Sequence, residues 1–184
     1  MTREQRLAQI AEAAVEVERR LGYPAALIVA QWAAESAWGT KETGKHNFFG
    51  MTKAARHKDF RWCATREVLT DAQLARLDPE EAATVTEKTR RPDGRWDVRL
   101  SRRFASYESL EAAIEDKVRL LMDGRPYREA YEQYRQDGDL DAFVERVAPI
   151  YATDPGYATL VKTISRQRNV LTALAAFRRD TIEA

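Results

Sequence analysis

Apolar residues recur at three- and four-residue steps near both ends of the chain and lose that rhythm in the middle. The pattern predicts helices on either side of an extended segment. Leu7, Ile10, Ala14, Val17 and Leu21 share one helical stripe, and Gly22 supplies a stop. Pro24 suits the first turn of a second helix, which runs through ALIVAQWAAESAWG to Gly39. That helix is apolar nearly all round, so it belongs at the centre of the core. From Thr40 to about Ser106 the helical period weakens, and Gly44, Gly50, Pro79, Pro92 and Gly94 punctuate the chain. FRWCATREV and RWDVRLSRRF read as extended, with Asp93-Gly94 as a hairpin turn before the alternating Trp96, Val98 and Leu100. DAQLARLDPEEAA reads as a short helical insertion, and the whole as a β-rich lobe at about 57–105. Helical spacing returns with Leu110, Ile114, Val118 and Leu121, and Gly124 lies just past the end. Three more helices are expected: from Pro126, from Asp139 as N-cap, and from Asp154-Pro155 with Asp capping and Pro in the first turn. The fold class is α+β.

Composition narrows the picture without choosing a partner. The 184 residues fit one domain spanning 1–184, and 44% hydrophobic with 32% charged residues is ordinary globular usage. Thirty Lys plus Arg against 29 Asp plus Glu leave a net charge of +1, which argues against nucleic acid or an anionic membrane as the partner. Cys63 is alone, and His46 and His57 lack the clustering of a zinc site, so neither disulfide nor metal is expected. The opening residues MTREQRLAQIAEAAVEVERR carry too many charges for a signal peptide, and no 18-residue apolar run exists.

Ile28, Gln31, Trp32, Glu35 and Trp38 fall at three- and four-residue steps on the second helix, so Glu35 shares a face with large apolar side chains. Desolvation there disfavours the charged carboxylate, the condition a general acid needs near neutral pH. Helical position alone is equally compatible with a Glu that simply reaches water.

Four stretches taken in order, AQWAAESAWGTKETGKHNFFGMT, ATREV, FASYESLEAAIEDKVRLL and YATDPGYATLVKTI, resemble the glucosaminidase domains of glycoside hydrolase family 73. The resemblance runs from about Pro24 to Ile164 and implies a lysozyme-like fold, with a glycan cleft between a helical lobe and a small β-hairpin lobe. It implies Glu35 as catalytic acid and cleavage of the β-1,4 bond between N-acetylglucosamine and N-acetylmuramic acid in peptidoglycan, without cofactor. A second carboxylate is usual in glycoside hydrolysis. Glu67 stands 20 residues after Asn47, where the family places its Thr-x-Glu, and is preferred; Glu87, after the insertion, is the alternative. Tyr151, then Tyr157, are the aromatics the family would set facing the acid, and Asn47, Phe48, Phe49 and Gly50 would line the cleft; Trp38, like Trp62 and Trp96, could stack on a sugar or equally pack against the protein. Whether the second carboxylate acts as nucleophile or base, or the substrate's N-acetyl group attacks, stays open. So do a transglycosylase or muramidase on the same fold, and a non-catalytic wall-binding module. The layout suggests a phage-released or secretion-delivered enzyme, although a domain excised from a longer protein would read the same. An immunity or delivery partner has no signal in the residues.

Overall fold

Thr2 opens the first helix through a reciprocal pair of bonds, its hydroxyl accepting from the Gln5 N–H while the Gln5 side chain accepts from the Thr2 N–H. This α1 (Arg3–Leu21) ends at Gly22, whose φ of 75° is the left-handed conformation that glycine adopts most readily. The computed structural model describes residues 1–152 and 154–179. The remaining residues of the expected 1–184 span lie outside those described.

α2 (Ala25–Ser36) follows, with Leu27, Ile28, Val29, Ala30, Trp32 and Ala33 all buried. It is the central helix that its sequence predicts, but it stops three residues before Gly39. Ala37 at φ 49° and Trp38 at φ 60° both turn left-handed, and their N–H groups bond back to Ala33 O. Gly39 then tucks under the Trp32 ring, where a Cβ would come within 2.5 Å of Cζ2.

The lobe between the helices is a three-stranded antiparallel sheet in the order β1 (Asp59–Leu69), β3 (Trp96–Ser106), β2 (Glu87–Arg90). The hairpin turn holds Gly94 at φ 81°. The predicted insertion forms two short helices, α3 (Asp71–Ala75) and α4 (Pro79–Ala82). Because β2 is short, the far half of the β3 edge lacks a strand partner. Thr84 fills the gap, its hydroxyl accepting from Ser101 N–H and donating to Ser101 O, and the Glu81 carboxylate accepts from Arg103 N–H. Leu69, Val98 and Leu100 give the lobe its own small apolar cluster.

Five helices complete the described chain: α5 (Leu110–Asp123), α6 (Arg128–Asp137), α7 (Leu140–Tyr151), α8 (Tyr157–Ser165) and α9 (Arg168–Arg179). Asp139 caps α7 as predicted, accepting from Ala142 N–H. The α8 cap falls later than predicted: Gly156 is the N-cap, and Asp154 instead builds the preceding turn by accepting from Gly156 N–H. α9 is an addition to the predicted elements; it buries Val170 and Leu174 in the main core, and Arg178 pairs with Glu18 of α1. Among the described residues the fold is mainly helical α+β, and no helix is long and apolar enough to cross a membrane.

Candidate active site

Glu35 occupies the last turn of α2, with 15% of its side chain exposed. The helix end beneath it is held tightly: the Ser36 hydroxyl donates to Trp32 O and accepts from Gly39 N–H. Tyr151 closes α7 and Tyr157 opens α8, so the reversal between these helices turns both rings toward α2. The Tyr151 hydroxyl donates to Glu35 Oε2 at 2.8 Å and the Tyr157 hydroxyl to Oε1 at 2.8 Å, with the two rings 5.6 Å apart. Gln31, one turn before Glu35, also bonds Tyr157. Burial first, and then the facing Glu35 charge, push both phenols above their ordinary range, so both remain donors at any physiological pH.

The third neighbour of Glu35 is Lys117 of α5, which sequence reasoning missed. Its side chain is 2% exposed, and Nζ lies 3.5 Å from Glu35 Oε1 and 3.4 Å from the centroid of the Tyr151 ring. The surroundings of Glu35 are therefore two phenols and an ammonium, more polar than its apolar helix face suggested. A signal was present: Lys117 stands three residues after Ile114 and four before Leu121, a core position in the stripe.

A groove of about 700 Å³ runs between the sheet lobe and the α7–α8 region, with Glu67, Leu69, Arg102, Pro149, Tyr151 and Ala158 among its walls. Tyr151 belongs to the wall and bonds Glu35, so the partly exposed carboxyl group lies beside the groove. Glu67 pairs with Val98 across the sheet, whereas Glu87 pairs with Arg99. Opposed residues share a face and successive residues alternate, so the two candidate carboxylates project from opposite faces. Glu67 points to the face that carries Leu100 and Arg102, with Arg102 Nη1 3.9 Å away and the Thr65 hydroxyl donating at 3.3 Å. Glu87 pairs with Arg99 on the other face, 64% exposed.

The residues expected to line the cleft are not among the walls of this groove. Asn47 is fully buried and joins its loop to the sheet: Nδ2 donates to Met51 O and Ala105 O, and Oδ1 accepts from Met51 N–H. Both amide hydrogens and one lone pair thus hold backbone. Phe49 is buried in the main core, and Gly50 takes the φ of 61° that turns the loop. Phe48 lines a separate groove of about 650 Å³ beside α1, which holds no paired carboxyl and phenol groups. Trp38 packs edge-on against Trp32, with the Arg3 guanidinium 3.6 Å above its ring.

A partly buried carboxyl group gripped by two phenols, beside a groove between a helical lobe and a small sheet, is the layout of a lysozyme-like glycoside hydrolase. Residues 11–170 match the glucosaminidase family, described as mannosyl-glycoprotein endo-beta-N-acetylglucosaminidase, and the chain belongs to that family. Over 169 residues it is 28% identical to the peptidoglycan hydrolase FlgJ of Pseudomonas aeruginosa, covering 89% of this chain and 36% of that protein. The chain thus spans about a third of the length of this curated relative. Among solved structures, the catalytic domain of the autolysin Auto from Listeria monocytogenes is similar with a TM-score of 0.69 at 20% identity, over 94% of this chain and 88% of that one. A mutant peptidoglycan hydrolase from Sphingomonas sp. A1 gives a TM-score of 0.64 at 22% identity, over 94% and 99%. At these identities the likeness speaks for the fold.

Proposed function

We propose that this chain, as one hydrolase unit over 1–184, is an endo-β-N-acetylglucosaminidase that cleaves the bond from N-acetylglucosamine to N-acetylmuramic acid in bacterial peptidoglycan. The observation that carries the reading is the double grip of Tyr151 and Tyr157 on Glu35 beside a groove that Tyr151 and Glu67 line. The names of the relatives, a peptidoglycan hydrolase and an autolysin, support the cell wall as substrate.

In this reading Glu35 is the general acid. It gives its proton to the glycosidic oxygen as the bond to the anomeric carbon breaks, and the leaving sugar departs as an alcohol. Positive charge grows on the anomeric carbon, and Glu67 on the facing lobe is the carboxylate that meets it or activates water against it. Water finally supplies hydroxide to the anomeric carbon and returns a proton to the carboxyl pair. Tyr151, which touches both groove and acid, orients Glu35 towards the scissile oxygen; Tyr157 fixes the other carboxyl oxygen from within the core.

The test is digestion of purified peptidoglycan by the parent and by Glu35→Gln, with borohydride reduction and mass spectrometry of the products. Reduced N-acetylglucosamine ends from the parent, with a loss of about 10²- to 10⁴-fold in E35Q, are expected. Reduced muramic acid or anhydro-muramic ends would make the protein a muramidase or transglycosylase. Absence of products from several wall types, with retained sedimentation on the wall, would make it a binding module.

A further inference from the structure

Lys117 occupies a position that the stripe Ile114, Val118 and Leu121 would give to an apolar residue. Removing an ammonium from water costs several kcal/mol unless it is well paired. Here the pairing is incomplete. The 3.5 Å to Glu35 Oε1 exceeds the roughly 2.7–2.9 Å of a direct charge-assisted bond, and Nζ has no ordinary hydrogen-bond partner among the described residues. The face of Tyr151 at 3.4 Å and the more distant Phe49 ring at 5.8 Å supply cation–π attraction only. A pair of this kind is a poor device for stability, because an apolar side chain of equal volume is often as good or better.

We propose that Lys117 is a positioning residue of the hydrolytic reaction, a buried cation that holds the Oε1 side of the Glu35 carboxyl group from within the core and stabilises the carboxylate formed as Glu35 gives up its proton. The inference rests on the reading of Glu35 as the general acid. When Glu35 protonates the glycosidic oxygen, negative charge develops on a group that already receives two phenol hydroxyls and faces one ammonium. A fixed charge placed where charge develops in the transition state lowers the barrier without reorganisation. The groups facing Lys117 are Glu35 from α2 and Tyr151 from α7, with Tyr157 of α8 reaching it through Glu35; the loop before the sheet contributes the Phe49 ring, and α1 and α6 set no charge against it. Burial lowers the Lys117 ammonium to about 8, against the opposing pull of Glu35. Below that pH the cation is in place, and above it Glu35 loses its support.

Lys117→Met keeps the volume and removes the charge. Its kcat on purified peptidoglycan is expected to fall at least about tenfold with KM little changed, and the alkaline limb of its kcat profile to move up by about one pH unit or more, because the acid is no longer helped to ionise. Lys117→Arg, which retains a cation at all pH values, is expected to recover part of the rate and keep the limb below that of K117M. Glutamate-labelled protein with the native sequence gives a readout independent of either variant: the Glu35 carboxyl carbon must show an NMR step near pH 8 as Lys117 titrates. Parental kcat and pH profile in folded K117M, a slowed K117M with an unmoved profile, or a Glu35 resonance that takes no step at the pH where Lys117 itself titrates would each overturn the proposal. If E35Q itself retains hydrolysis, the underlying reading of Glu35 fails, and that result is separate from any obtained at Lys117.

Discussion

The two tyrosines that grip Glu35 make the same bond from different surroundings, and their removal has different consequences. Tyr151 forms part of the groove wall, so its hydroxyl can meet both acid and substrate, while Tyr157 is 8% exposed and linked to Gln31. Tyr151→Phe keeps the ring on which the Lys117 ammonium rests and loses only the donor to Oε2. It is expected to lower kcat by about 10- to 100-fold with the thermal midpoint little changed, as fits a group whose contribution is to orientation. Tyr157→Phe leaves a buried carboxyl oxygen and a buried amide short of a partner. A hydrogen bond to a charged group contributes about 1.5–3 kcal/mol, and a loss of that order in urea denaturation is expected beside a fall in rate. Equal stability of the two variants would show that the environments do not differ in this way.

At the level of elements, one residue of strand register separates the candidate carboxylates. Glu67 opposes Val98 and faces the groove, while Glu87 opposes Arg99 and faces away. Glu67→Gln is therefore expected to cost about 10²-fold or more in kcat, and Glu87→Gln to leave the parental rate; the reverse order in a wall-lysis assay would exchange the assignments. Parity of this kind was beyond the sequence, since both residues sit in Thr-rich stretches and only the pairing partner decides the face. Elements with capping chemistry were legible: the glycine ends of α1 and α5 and the Asp139 cap of α7 fall where the residues put them. The end of α2 was not, because Ala37 and Trp38 carry no sign of left-handed backbone. Nor was the break between α8 and α9, where only Arg166 and Gln167 intervene without glycine or proline. Glu35 was singled out by its helical spacing and, with the tyrosines, by the resemblance of the motifs around them, and the fold brings the three together. Lys117 was not, because a lysine within an apolar stripe reads as a side chain reaching for water, and its partner comes from a helix distant in sequence.

For the whole molecule, the titrating groups in the core and at its edges set how stability varies with pH. At the acid end Asp116 is a half-buried carboxylate among several that the fold lowers. Burial alone would push its carboxyl up, but bonds from Arg56, Tyr107 and His57 outweigh burial and hold it below its ordinary 3.8. Its contribution is complete above about pH 4 and is lost as pH falls through the lowered folded-state value. The alkaline side has two opposed parts. Lys117 falls to about 8 in the fold from 10.5, so between those values the unfolded chain binds a proton that the folded one has released, and stability rises with pH. Tyr23, Tyr107, Tyr151 and Tyr157 are all raised by burial above 10.0; the stability they contribute is present below that pH and is lost above it. With Tyr127, Tyr131 and Tyr134 raised by burial as well, the phenols outweigh one ammonium, so the urea midpoint is expected to climb from pH 8 to about 10 and then drop steeply. Each proton involved contributes on the order of 1 kcal/mol per pH unit. In Lys117→Met the climb should vanish while the drop above pH 10 persists. A parent whose midpoint declines steadily from pH 8 would mean that Lys117 keeps its proton in the fold, and the buried ammonium would then be a permanent charge beside Glu35 throughout the working range of the enzyme.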